Sequence, residues 1–218
     1  MKTKSGKCVS FRYEPDYLNG CPELRTDYKQ KRSKLIILPN VVYSDIKLDG
    51  GNIVFSPSRE KAMISDRVFS ENSIYDKSTF VQKLSEALEA EIIIIPSLKS
   101  DMTGHADGMV RFINENTVVG NKTNTKYGLE QKIKTALAKY DIKVVDFPYF
   151  ASSGISAVGC YINFLELDKQ ILVPVFHNIL DGKATSEAER IFKKQIVPVY
   201  ISEIAKNGGG LNCISWEQ

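Results

Sequence analysis

Four stretches of this chain share one layout at a spacing of roughly 50 residues, a period that marks repeat architectures. They read LIILPNVVYSDIKLDGGNIVF (35–55), IIIIPSLKSDMTGHADGMVRF (92–112), VVDFPYFASSGISAVGCYINF (144–164) and VPVYISEIAKNGGGLNCISW (197–216). Aligned on Pro39, Pro96, Pro148 and Ile201, each reaches Gly51, Gly108, Cys160 and Cys213 twelve residues later. Each is a short apolar strand, a polar loop, a glycine-bearing turn and a second apolar strand. A fold that stacks such units around an axis brings their equivalent loops together. That places Asp49, His105 with Asp107, and Cys213 at nearly matching positions of different units.

Between the repeats the pattern alternates hairpin, helix and strand. Residues 52–55 and 61–65 read as a hairpin around 58–60, and 78–90 as a helix with Phe80, Leu84, Ala87 and Leu88 at helical spacing. A buried strand follows at 91–96. The same order recurs as 109–114 with 117–120, helix 129–140 and strand 142–147, then again as 160–166 with 170–175, helix 184–195 and strand 197–201. The unit is therefore β-β-α-β, complete three times. A poorer fourth unit is expected at the start of the chain, with a strand at 8–13, a weakly helical or irregular stretch at 16–30 and a closing strand at 35–39. A last strand at 214–216 could pair with 8–13 and close a circle, which protects sheet edges as in propellers.

With 218 residues and 43% hydrophobic content the chain can build one sizeable core, and no Pro-, Gly- or Ser-rich linker divides it. We read residues 1–218 as a single domain. A net charge of +3 with scattered basic residues gives no footprint for nucleic acid, and the run KQKRSK (29–34) reads as a solvated loop. The apolar runs are strand-sized, so no membrane partner is expected, and the basic N-terminus lacks the apolar stretch of a signal peptide. Cys8, Cys21, Cys160 and Cys213 have no metal-ligand spacing, and two histidines, His105 and His177, are too few for an ordinary zinc site. A reducing, cytoplasmic setting and no metal are the expectation.

Cys213 ends the segment GGGLNC (208–213), whose glycines permit positive φ and close backbone approach to a ligand. It is the candidate nucleophile. His105 sits among small residues in TGHADG (103–108), and Asp107 follows at i+2, the spacing that points two side chains the same way in extended chain. Asp49 in LDGGN (48–52) carries a standard turn signal and, by the repeat alignment, a functional position. Cys160 reads as a small core residue and His177 as a surface or structural one. A thiol, an imidazole and one carboxylate make an acyl-transfer triad. A second carboxylate beside the nucleophile would repel a developing oxyanion and favour a cation instead. Carboxylates match the planar guanidinium fork, so the set points to attack on guanidinium carbon.

The motifs LDGGNIVFSPS (48–58), TGHADGMVRF (103–112), GCYINF (159–164) with ILVPVF (171–176), and GGGLNCISW (208–216) resemble, in order, those of the guanidine-modifying pentein superfamily. They most resemble its branch of agmatine deiminases and Porphyromonas-type peptidylarginine deiminases. The resemblance implies a pentein-type α/β propeller of β-β-α-β modules around a pseudo-fivefold axis, about four of five being present. It implies Cys213 as nucleophile, His105 as acid/base, Asp49 as its orienting carboxylate where many members have Glu, and Asp107, Gly210 and Arg111 as substrate-binding residues. Asn212 stands where agmatine deiminases commonly carry His. The family's Arg-Asp motif, upstream of a sequence like FRYEPDYL (11–18), has no counterpart here, so the chain looks like a member lacking its N-terminal segment. The implied reaction turns a guanidinium group into a ureido group plus ammonia through a thiouronium on Cys213, without cofactor. Agmatine (giving N-carbamoylputrescine) or a small-molecule or peptidyl arginine would be the substrate. The alternatives are an amidinotransferase and an inactive or partner-dependent homologue that binds guanidino ligands; edges left by a missing module would favour association, including homo-oligomers.

Overall fold

The computed structural model describes residues 1–21, 23, 25, 41–99, 101–123, 128–152 and 155–215. They fall into two compact units, Met1–Ala106 and Asp107–Gln218. The expected closing strand at 35–39 and the basic run at 29–34 lie outside the described residues.

The first unit opens with β1 (Cys8–Arg12), whose buried Val9 and Phe11 alternate with outward residues. β1 runs parallel to β2 (Val41–Lys47). β2 occupies what the sequence suggests is a polar loop. Its two ends differ: Val42 and Tyr43 are exposed, whereas Ile46 and the following Leu48 are buried against β1 residues and the rest of the core. Too few apolar positions alternate there for a sequence pattern to reveal a strand.

One full module follows. β3 (Ile53–Phe55) and β4 (Lys61–Ser65) form the expected hairpin, and β5 (Glu91–Ile95) returns parallel to β4. A parallel return needs a crossover, supplied by α1 (Lys77–Leu88). Asp76 caps α1 by accepting hydrogen bonds from the backbone N–H groups of Ser78 and Thr79, both at 3.0 Å. Phe80, Leu84 and Leu88 form its buried stripe against Ala62, Ile64 and Ile92. Full burial of each such side chain stabilises by roughly 1.5–3 kcal/mol. Alternation puts Met63, Ile93 and Ile95, also fully or nearly fully buried, on the other face of the sheet.

The second unit contains two more modules. β6 (Val110–Asn114) and β7 (Thr117–Asn121) are antiparallel, and β8 (Lys143–Phe147) lies parallel to β7 after α2 (Leu129–Ala138). β9 (Leu165–Glu166) and β10 (Gln170–Val175) are antiparallel, and β11 (Gln195–Tyr200) lies parallel to β10 after α3 (Asp181–Phe192). α3 begins three residues before the expected 184–195 because Asp181 binds several groups at once: the N–H of Phe176, the N–H of Asn178 and the Tyr161 hydroxyl at 2.7 Å. α3 presents Ala184 and Ala188 to the core, small enough for close approach to the sheet.

Two expected strands differ. Of 160–166 only Leu165–Glu166 join the ladder. Tyr161, Ile162, Asn163 and Phe164 are all buried, so the one-in, one-out alternation of a ladder strand is lost. Ile214 and Ser215 belong to a turn, and Trp216 lies outside the described residues. His177 takes a left-handed φ of 57° after β10, is exposed, and stacks on Tyr200 at 3.9 Å.

Candidate functional site

Asp49 ends the segment that follows β2 and starts the 3-10 turn Gly50–Asn52. An Asp before a helical turn ordinarily caps it with its side chain. Here the backbone carbonyl alone closes the turn, accepting from Asn52 N–H at 3.1 Å, and the carboxylate turns elsewhere. Its Oδ2 lies 3.0 Å from His105 Nε2 and accepts the Tyr17 hydroxyl at 2.9 Å. Both acidic and basic partners are largely buried, Asp49 at 4% exposure. An ionised carboxylate only accepts, so against it Nε2 is the donor, and Nδ1 is the ring nitrogen on the far side of that bond.

The approach to His105 is built by Asp101, whose Oδ1 accepts from the N–H groups of Thr103 and Gly104 at 2.8 and 3.1 Å. Gly104 has φ +55° and lies where a Cβ would come 3.3 Å from Ser97 Cβ, so a side chain is disfavoured on both counts. Tyr17 meets the imidazole edge-on at 6.2 Å. Arg67 lies over the Tyr17 ring at 5.7 Å and is paired with Asp16 and, at 3.5 Å, Glu71. Burial, then the negative charges of Asp49 and Asp16, push the Glu71 carboxyl above its usual range. A cavity of about 560 Å³ in this unit is lined by charged residues such as Arg67, Asp16 and Asp66 together with the apolar Phe69, Ile94 and Leu98, but neither Asp49 nor His105 lines it.

In the second unit Asp107 is buried in the 3-10 turn Ala106–Gly108. Its Oδ2 accepts from Asn212 Nδ2 at 2.8 Å and Asn163 Nδ2 at 3.2 Å, and the Cys213 sulfur lies 3.8 Å away. Asn163 faces the other way with its carbonyl: Oδ1 accepts from the backbone N–H groups of Asn212 and Cys213 at 3.1 and 3.3 Å. Asn212 Oδ1 in turn accepts from Arg111 at 2.8 Å, and that guanidinium rests over the Phe164 ring at 4.9 Å. Gly210 is required for this packing, since a Cβ would fall 2.8 Å from the Asn163 side-chain carbons and closer still to its Oδ1. The close approach that Gly210 allows is to the Asn163 side chain. Cys160 is part-buried and points its sulfur at the Gly108 carbonyl, 3.5 Å away, in keeping with a packing role.

Desolvation of the sulfur and then the charge of Asp107 push the Cys213 thiol up to about 11; the Gly210 N–H and the Asn163 amide pull the other way. The residue as a whole is exposed. Its surface is open to water, so the neighbouring carboxylate is the firmer of the two causes. A thiol held protonated beside a carboxylate is a resting state that an arriving cation would change.

Among the described residues no group of three or more His, Cys, Asp and Glu could hold a metal, and no helix is long and apolar enough to cross a membrane. Of the residues named from sequence, Asp49 and His105 are bonded to each other in the first unit. Asp107, Gly210, Arg111 and Cys213 share one network in the second. Asn163 and Tyr17 were not assigned from sequence. The signal for Asn163 was its polarity within the otherwise apolar GCYINF (159–164). Tyr17 had no such signal, because its partner lies 32 residues away.

Comparison with solved structures finds the fold of agmatine deiminases. The C. jejuni agmatine deiminase with substrate bound is 22% identical, with a TM-score of 0.74, over 95% of this chain and 66% of that one. The agmatine deiminase of Enterococcus faecalis is 20% identical, with a TM-score of 0.73, over 96% of this chain and 68% of that one. The dimethylarginine dimethylaminohydrolase of Pseudomonas aeruginosa, complexed with citrulline, is more remote at 13% identity and a TM-score of 0.56, over 95% and 70%. The chain spans just under two thirds of the length of the C. jejuni enzyme. Curated protein sequences give no match. A family model does match, across residues 8–218, and the chain therefore belongs to the Porphyromonas-type peptidyl-arginine deiminase family.

Proposed function

We propose that residues 1–218 act as one guanidine deiminase domain of pentein-propeller type, converting a guanidinium group to a ureido group and ammonia. The observation that carries this reading is the buried Asp107 carboxylate 3.8 Å from the Cys213 sulfur. A carboxylate there hinders the resting thiol from ionising and would oppose an oxyanion. It becomes an asset only when the electrophile is itself a cation.

The guanidinium binds against Asp107, and its charge offsets the carboxylate's, so the thiol can ionise. His105 takes the thiol proton. The thiolate forms a C–S bond to the guanidinium carbon, and His105 returns the proton to the nitrogen that departs as ammonia, breaking C–N. The S-linked thiouronium remains. His105 then takes a proton from water as its oxygen attacks the same carbon. The C–S bond breaks, the ureido product leaves and the thiol is regenerated; the second water proton ends on ammonia. Asp49 keeps the imidazole oriented throughout. Asn163 fixes the backbone of the nucleophile, and Gly210 lets it do so. Every step uses protein side chains and water, in a compartment reducing enough to keep the thiol.

Agmatine and arginyl groups are the two substrate classes this reading names, agmatine first because of the likeness to two agmatine deiminases. The test is product analysis with agmatine and with a benzoylated arginine ester, for the parent and for Cys213→Ala. The reading expects ammonia and a ureido product in equal amounts from one of them, abolished in the variant. An amidine passed to an added amine instead, or product undiminished in Cys213→Ala, would overturn it.

A further inference from the structure

Asp49 is a short arm, and a lone carboxylate on a turn is free to rotate. The structure supplies what stops it. Oδ2, the oxygen that meets His105 Nε2, is the oxygen that accepts the Tyr17 hydroxyl. We propose that Tyr17 is a positioning residue for His105: its hydroxyl pins Asp49 Oδ2 so that this oxygen holds Nε2–H and leaves Nδ1 as the nitrogen that exchanges protons. This rests on the acid–base role given to His105 above.

The pin is itself anchored. Tyr17 sits in the 3-10 turn Asp16–Leu18, its hydroxyl 3.3 Å from that of Tyr13 and its ring beneath the Arg67 guanidinium. Arg67 is fixed by Asp16 of the same turn and by Glu71. Among the described residues of this unit, the charged and titratable groups tied to the Asp49–His105 pair include Tyr13, Tyr17, Asp16, Arg67 and Glu71. Burial, the Tyr13 hydrogen bond and the charge of Asp49 all hold the Tyr17 hydroxyl protonated far above the ordinary phenol range. It is a donor at every working pH. An edge-on ring contact to the imidazole completes the support.

The test reads the imidazole tautomer directly and needs no turnover. With histidine labelled by nitrogen-15 in the full chain, long-range proton–nitrogen spectra show two imidazoles, and His177→Gln assigns them. The parent is expected to show His105 as the Nε2–H tautomer, with a Tyr17 hydroxyl proton slow to exchange and near that Nε2–H. Tyr17→Phe is expected to lower the Nε2–H to Nδ1–H ratio about tenfold, the weight of one hydrogen bond to a charged group. Tyr13→Phe, which spares the Tyr17–Asp49 bond, should change it less than about threefold. In turnover, Tyr17→Phe should lower kcat about tenfold with KM within about twofold. An Nδ1–H tautomer in the parent, a fast-exchanging Tyr17 hydroxyl, or a ratio unmoved in folded Tyr17→Phe would each overturn the proposal. The parent measurements decide even if that variant does not fold. Labelling of Cys213 by a haloacetamidine separates the two readings. No adduct with the expected tautomers sinks the deiminase alone, whereas an adduct with an unmoved ratio sinks the role of Tyr17 alone.

Discussion

Replacing Asp107 by Asn should change the reactivity of Cys213 in opposite directions for neutral and cationic probes. A full charge at 3.8 Å from the sulfur opposes thiolate formation by about 1.1 kcal/mol at the dielectric of water and about 4.4 kcal/mol at an effective value of 20. Cys213 is exposed and salt screens the pair, so the low end applies. At 1.36 kcal/mol per pKa unit the thiol should fall by about one unit from its present value of about 11. The thiolate fraction at neutral pH then rises about tenfold, but a less basic thiolate is a weaker nucleophile, and the net gain in alkylation is about three- to fourfold. The assay is the rate of iodoacetamide labelling of Cys213 against pH, read by mass spectrometry with Cys213→Ala as background. A haloacetamidine, which is a cation, should label the variant more slowly than the parent, because the carboxylate that gathers it is gone. Both probes moving in one direction, or iodoacetamide showing no change, would refute the reasoning.

Gly210→Ala forces Asn163 off the Cys213 N–H; we expect a loss of about 1–3 kcal/mol in stability from overpacking and at least a tenfold loss of haloacetamidine labelling. Leu84→Ala empties a fully buried position beneath β4 and β5 and should cost about 2–5 kcal/mol in urea unfolding. The Cys213 thiol lies above its ordinary value in the folded chain, so it contributes stability that is whole below the ordinary thiol range and is lost as pH rises from about 9 to about 11. Relative to Cys213→Ser, the parent's urea midpoint should therefore fall across that window and stay level below it.

What could be read from the sequence was set by periodicity. Phe80, Leu84 and Leu88 are spaced as a helix stripe, and they are the buried face of α1. Val9 and Phe11 alternate as a strand should, and they do. β2 was illegible because its strand pairs beside Val42 and Tyr43, which stay exposed, so burial does not mark it. GCYINF looked like a ladder strand, whereas Tyr161 to Phe164 are all buried and Asn163 spends both its donor and its acceptor on the surroundings of Cys213. Candidate residues were legible where loops repeat, as for Asp49, His105, Asp107 and Cys213. Tyr17 was not, because a hydrogen bond between distant positions leaves no local pattern.

The central claim is that Cys213 attacks guanidinium carbon. Its most direct test is acid-quench mass spectrometry of the full chain during reaction with agmatine or an arginyl peptide in oxygen-18 water. The account predicts a transient substrate-derived amidine on Cys213, with one oxygen-18 atom in the ureido product. Product formed with Cys213 never modified, or no adduct and no product with either substrate, would contradict it.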